Sequence, residues 1–164
     1  MIALPGVSIE PLRWWQLREC VAIERVVFPS TAWSEESFWG ELARSPKSRY
    51  YVAAVREADT PASESVVIGY AGLAALPPEA DVQTIAVEES ARGIGLGGAL
   101  LEALLGEAIR RHCTTVMLEV ADDNERAIEL YERRGFESIS VRRDYYGPSR
   151  DARIMRLRVG ATST

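Results

Sequence analysis

The stretch Thr84-Ile85-Ala86-Val87-Glu88-Glu89-Ser90-Ala91-Arg92-Gly93-Ile94-Gly95-Leu96-Gly97-Gly98-Ala99-Leu100-Leu101 decides how this chain folds. It leads from a β-rich segment, Asp81–Val87, through a glycine-dense turn into a helical pattern over Ala99–Arg111. Leu100, Leu101, Leu104, Leu105, Ala108 and Ile109 fall on one face of that helix. Gly93, Gly95, Gly97 and Gly98 allow positive φ and close approach of the backbone to a ligand. The first amides of the helix behind them have no intrahelical partner and lie at the positive end of its dipole. Such a turn is a cradle for a pyrophosphate. A lead-in turn that holds nothing would need fewer glycines.

Two phosphate-binding architectures can be set aside. Gly93-x-Gly95-x-x-Gly98 matches a dinucleotide fingerprint, and Glu119 lies 21 residues beyond Gly98. However, Glu88–Arg92 separates the strand from the first glycine, half the chain precedes the motif, and too little follows it to complete a doubly wound sheet. A Walker A loop is excluded because no Lys-Ser or Lys-Thr follows the glycines.

Downstream of the turn, the spacing predicts a strand over Thr115–Val120 and a helix over Asn124–Arg134 closed by Gly135. Strands are then expected over Phe136–Tyr145 and Ala152–Val159, joined at Gly147-Pro148. Upstream, Val7–Leu12 reads as a short strand. Trp14–Val27 reads as a helix from apolar residues at Trp14, Leu17, Val21 and, less regularly, Val26. Trp33-Ser34-Glu35-Glu36 opens a second helix with Ser34 as N-cap. Tyr50–Arg56 and Val66–Ala75 form an antiparallel pair around the polar loop Glu57–Ser65, and Pro77-Pro78 interrupts the chain. The expected architecture is α/β, one domain over residues 1–160 with a mixed sheet of six to seven strands and about four helices, and a tail at 161–164.

Composition narrows the function. The 164 residues carry 19 Lys+Arg and 24 Asp+Glu, a net charge of −5, which argues against direct nucleic-acid binding. No apolar run approaches a membrane span, and Met1–Glu10 lacks the pattern of a signal peptide. Cys20 and Cys113 make no disulfide framework and suit a reducing, cytoplasmic setting. With a single histidine, His112, at a helix end, neither a metal cluster nor a His-dependent triad is expected.

Two side chains carry alternative readings. Glu119 interrupts an apolar strand, with Met117, on the face opposite Val116, Leu118 and Val120. A carboxylate there is either ion-paired, with Arg142 or Arg143, or at work. Tyr131 shares a helix face with Ala127 and Leu130 and is either a core aromatic or a proton donor.

Arg92-Gly93-Ile94-Gly95-Leu96-Gly97 resembles the (Arg/Gln)-x-x-Gly-x-(Gly/Ala) signature of the GNAT family of N-acetyltransferases. Thr84-Ile85-Ala86-Val87 is similar to the family's fourth strand, and Asn124-x-x-Ala127-x-x-Leu130-Tyr131-x-x-x-Gly135-Phe136 to its second core signature. Leu118-Glu119-Val120 and Arg142-x-x-Tyr145-Tyr146 look most like its RimI-type ribosomal-protein-alanine branch.

The resemblance implies acetyl-CoA as co-substrate, with no metal. Arg92, Gly93, Ile94, Gly95, Leu96, Gly97 and Gly98 would bind it, the pyrophosphate lying on the amides of Gly93 to Gly98. Ile85, Ala86 and Val87 would pair with the pantetheine arm as an added strand would. Asn124 is a further cofactor contact, Glu119 the general base and Tyr131 the acid. Trp33, Tyr145 and Tyr146 would frame the N-terminal peptide of a protein substrate, a ribosomal protein in the branch it resembles. From the residues alone, Tyr145-Tyr146 equally suits a strand end beside a turn. The amine would attack directly in a ternary complex, leaving Cys20 and Cys113 without a chemical role. Acetylation of a small amine, or acyl-CoA binding without catalysis, are the alternatives. Two departures stand out. Gly98 replaces a residue that is often Arg or Lys, and Ala121-Asp122-Asp123 replaces a stretch that is often basic.

Overall fold

A computed structural model describes residues 4–61 and 63–160. The expected tail at 161–164 lies outside the described residues. The elements are β1 (Val7–Pro11), α1 (Leu17–Val27), α2 (Glu35–Leu42), β2 (Arg49–Arg56), β3 (Val66–Leu76) and β4 (Glu79–Val87), followed by α3 (Leu96–Arg110), β5 (Thr115–Ala121), α4 (Glu125–Arg133), β6 (Glu137–Arg142) and β7 (Ala152–Arg158). The seven strands form one sheet in the order β1-β2-β3-β4-β5-β7-β6. Only β4 and β5 run parallel, joined by the α3 crossover; every other neighbouring pair is antiparallel. The α/β mixed-sheet expectation therefore holds.

Helices cover both sheet faces. Leu100, Leu101 and Leu104 of α3, with Ile128 and Tyr131 of α4, pack on Val52, Ile68, Leu73, Val116 and Met155. Leu17, Cys20 and Val21 of α1 and Phe38 of α2 pack on Tyr51, Ala53, Tyr70 and Ala86 on the other face. Each fully buried leucine contributes about 1.5–3 kcal/mol. Ser34 caps α2 by accepting from the Ser37 amide at 3.1 Å, as its sequence position predicts.

Three local expectations are corrected. Trp14–Gln16 form a separate 3₁₀ turn, and Trp14 is 62% exposed instead of joining the apolar face of α1; Val26 of α1 is exposed as well. On α3, Ile109 is half exposed and leaves the buried face that its leucines form. The strand expected over Phe136–Tyr145 ends at Arg142 because the chain turns at Asp144, which takes a left-handed φ of 53°. The Asp144 carboxylate accepts from the Ser149 amide at 2.6 Å, and the Asp151 carboxylate from the Asp144 amide at 2.9 Å. Those two bonds tie 144–151 into a compact loop that carries Tyr145 and Tyr146 off the sheet.

One irregularity of the sheet creates the site. The β4–β5 ladder runs from Glu79↔Thr115 to Val82↔Leu118 and stops. Beyond it, Thr84–Val87 stay paired to β3, while Glu119–Ala121 stay paired to β7. The strands diverge, so a gap opens at the centre of the sheet with unpaired backbone groups on its walls.

Candidate active site

The gap forms the middle of a cleft of about 1540 Å³. At one end lies the glycine turn. Gly93 and Gly95 have φ of 83° and 87°, which residues with a Cβ rarely adopt, so these two glycines are conformationally required. Gly95 caps α3, and the amides that follow it belong to residues lining the cleft and have no intrahelical partners. Arg92 turns back, donating from Nε to the Val87 carbonyl at 3.3 Å, and thereby ties the turn to the end of β4.

Ile85, Val87, Arg92, Gly93, Gly95, Leu96, Gly97, Gly98, Glu119, Asn124, Tyr131, Trp33, Tyr145 and Tyr146 all line this one cleft. Two expected residues do not. Ala86 is buried in the core beneath α1, since strand alternation turns its side chain away, and Ile94 is half exposed at the crest of the turn. For Ala86, only the backbone can serve the cleft. Asn124 also caps α4, its Oδ1 accepting from the Ala127 amide at 3.3 Å.

Glu119 accepts from Arg142 Nη1 at 2.7 Å. The ion-paired reading of Glu119 is thus realised, in a position that also faces the cleft. Arg142 lies over the Tyr145 ring at 5.0 Å from its centroid, and Tyr145 meets Tyr146 edge-on at 4.9 Å. Interaction with the Glu119 carboxylate, ahead of burial, raises the Tyr145 hydroxyl above its ordinary range. Burial first, then Glu119, pushes Tyr146 up to about 12. Tyr131 stacks beside Phe136, 5.8 Å between centroids, and burial pushes its hydroxyl up to about 12 as well. All three phenols therefore stay protonated at neutral pH and can act as donors.

Sequence reasoning missed several lining residues. Glu24 is 2% exposed, with one carboxylate oxygen accepting from the Trp33 amide at 3.1 Å and the other from the Tyr70 hydroxyl. This fixes the segment after α1, which carries Phe28, Thr31 and Trp33, against the cleft. Desolvation raises the Glu24 carboxyl above its usual range. Asp81 lines the same face, its carboxyl raised by burial and then by Glu79 and Glu119. Thr84 Oγ1 is buried in the cleft wall with no hydrogen-bond partner among the described residues. A lone Glu in an amphipathic helix and a Thr in a strand carry no sequence signal of such roles. Both cysteines are free and buried, Cys20 with its thiol pushed up to about 12, which keeps it from acting as a nucleophile. Among the described residues no helix is long and apolar enough to cross a membrane, and no group of three potential metal ligands converges.

In sequence and fold the chain is similar to known proteins. The chain is 36% identical over 163 residues to the N-alpha-acetyltransferase RimI of Mycobacterium tuberculosis, spanning 96% of both chains. The crystal structure of the ribosomal-protein-S18-alanine N-acetyltransferase from Escherichia coli superposes with a TM-score of 0.77 at 29% identity, covering 96% of this chain and 99% of that one. A NatC complex bound to Gag peptide and CoA gives a TM-score of 0.82 at 25% identity over 94% of this chain and 99% of that chain. An uncharacterized Mycobacterium leprae protein is 42% identical over 143 residues, 84% of this chain, yet the chain spans only 36% of that relative's length. The acetyltransferase (GNAT) family model matches residues 10–136, and with these residues folded around a splayed central sheet the chain belongs to the GNAT family.

Proposed function

We propose that this protein transfers an acetyl group from acetyl-CoA to the N-terminal α-amino group of a protein, with alanine as the preferred first residue. The observation that carries this reading is the divergence of β4 and β5. It leaves strand edges between an anion cradle at Gly93–Gly98 and a carboxylate at Glu119, all within one cleft. The residues present fit the coenzyme. The α3 amino end suits a diphosphate, the open edge of β4 suits an amide-bearing arm, and the orphaned Thr84 hydroxyl offers a buried hydrogen bond to a ligand in the gap. The coenzyme, when bound, supplies an activated acyl thioester.

The chain's own residues would do the rest. A free α-amine has a pKa of about 7.7–8.0, so a nearby carboxylate need only receive one proton to present it neutral. Glu119 is that base, directly or through water. Backbone N–H groups near Val87 would stabilise the negative charge that develops on the carbonyl oxygen. The Tyr131 hydroxyl would donate to the departing sulfur. In the balanced reaction the ammonium gives one proton to Glu119 and on to solvent, the neutral amine loses a second proton as it gains the acetyl group, and the departing thiolate gains one proton, with no acyl-enzyme.

A peptide acceptor is favoured by the cleft's lining, which takes in Trp33 and the Tyr145–Tyr146 loop beside Glu119 as well as the glycine turn. The names of the Mycobacterium tuberculosis and Escherichia coli relatives support the same acceptor class. The test is a mass-spectrometric screen of N-terminal peptide libraries with acetyl-CoA. Acetyl on the α-amine of alanine-first peptides is expected. Acetyl found only on lysine side chains or on small amines overturns the acceptor, and CoA binding without any turnover overturns the enzyme.

A further inference from the structure

Two glycines of the turn, Gly97 and Gly98, are not explained by backbone conformation, and of these Gly98 is the one whose added side chain would be crowded. Gly93 and Gly95 need their positive φ; Gly98, one turn into α3, does not. A Cβ at Gly98 would lie 2.9 Å from Arg134 Nη2. What occupies the space over Gly98 is therefore the guanidinium of Arg134, sent across from the far end of α4. Glu102, four residues along α3 from Gly98, forms an ion pair with it and anchors the head at that spot.

This placement runs against local electrostatics. A cation is favoured at the carboxyl end of a helix, and Arg134 begins at such an end, just after Arg133. Its charge is nonetheless delivered to the first turn of α3, where the dipole is positive and cations are disfavoured. Glu102 offsets part of the cost. An anion held by the α3 amides would reverse the sign, because guanidinium and helix end would then attract the same group.

We propose that Arg134 is a cation of the cradle, binding a phosphate of the coenzyme from over Gly98. The proposal rests on the acetyl-CoA reading above. The coenzyme offers two phosphate sources, the diphosphate and the 3′-phosphate, and dephospho-CoA separates them.

The experiment is calorimetric titration of CoA and dephospho-CoA into the wild type, Arg134→Ala, Arg134→Lys and the double variant Gly98→Arg/Arg134→Ala. Arg134→Ala is expected to weaken CoA by roughly ten- to a hundredfold, the usual range for a charge-assisted hydrogen bond, with a smaller loss at high salt. Arg134→Lys retains most of the affinity. Gly98→Arg in the Arg134→Ala background restores it, because the charge returns to the same place from α3 itself. A loss shared by dephospho-CoA assigns the diphosphate, and a loss confined to CoA assigns the 3′-phosphate; both support the proposal. It is overturned if Arg134→Ala binds like the wild type, or if its loss is rescued by neither charged variant, which would reduce Arg134 to a strut between α3 and α4. A wild type that binds no CoA overturns the acetyl-CoA reading itself, an outcome distinct from either.

Discussion

Tyr131→Phe tests the leaving-group half of the chemistry with little disturbance to the fold. The ring is nearly all buried and packs on Phe136, so phenylalanine keeps the contact and removes one oxygen. Burial pushes the Tyr131 hydroxyl up to about 12. An ordinary thiol has a pKa of about 8.5, so full proton transfer from this phenol to a thiolate is uphill by roughly 3.5 units, about 5 kcal/mol. Tyr131 should therefore act as a hydrogen-bond donor to the sulfur as charge builds on it, keeping its own proton until the sulfur is reprotonated. A hydrogen bond to a charged partner contributes about 1.5–3 kcal/mol, so kcat should fall by roughly ten- to a hundredfold. Steady-state kinetics on the best peptide from the library screen, with acetyl-CoA affinity measured in parallel, should show the loss in kcat and an unchanged Kd. The pH profile supplies the sharper check. A group ionising near 12 produces no alkaline limb around pH 10, so kcat should stay flat there in both proteins. An alkaline limb near 10 that disappears in Tyr131→Phe, or an unchanged kcat, refutes the reasoning.

Two further outcomes follow from the cleft. Glu119→Gln should lower kcat by about 10²–10⁴-fold, the range for loss of a general base, and leave CoA affinity within twofold by calorimetry, because the carboxylate lies on the acceptor side of the gap. Equal activity would remove Glu119 from the proposed role. Glu24→Gln tests the clamp on the segment after α1. Desolvation raises the folded-state pKa of Glu24 above its unfolded value, so the folded state binds the extra proton. Its stabilising contribution is full below the unfolded pKa of about 4.3 and is lost as pH rises through the folded pKa. Thermal melts should therefore show the wild type gaining on Glu24→Gln as pH is lowered through the raised folded-state pKa, and a pH-independent difference between them would contradict the assignment.

The fold was legible because its informative segments are local. The Arg92–Gly97 turn, the one-sided leucines of α3 and the Asn124 cap with Gly135 at the other end of α4 each write a strand–turn–helix boundary into adjacent residues. Ser34 did the same for α2. Where expectation failed, the deciding interaction was a turn held by side chains. The left-handed Asp144, held by Ser149 and Asp151, ended β6 early, and no periodicity in Ser138–Tyr145 records that. Trp14 failed differently, because aromatic residues satisfy an apolar pattern whether or not a core lies beneath them.

The chemistry of the site was only half legible, for a reason built into the splay. Glu119 announced itself because a carboxylate in an apolar strand demands an explanation, yet sequence could not choose between an ion pair and a base. The structure realises the ion pair and still leaves the residue facing the cleft, so the two readings do not exclude each other. Arg142 can hold one oxygen of Glu119 from β6 because β5 remains paired to β7 at that level, while the departure of β4 opens the other side of the same residue to the cleft. The strand divergence that makes room for a ligand thus also exposes the carboxylate. By contrast, Glu24, Thr84 and Arg134 act at distances of sequence that no local pattern spans. Glu24 reaches Tyr70 and Trp33, Thr84 faces a gap that exists only in the folded sheet, and Arg134 serves a helix that begins 38 residues before it. At Gly98 the Arg134 guanidinium fills the space a side chain would take, a relation that becomes readable only once the partner across the space is known.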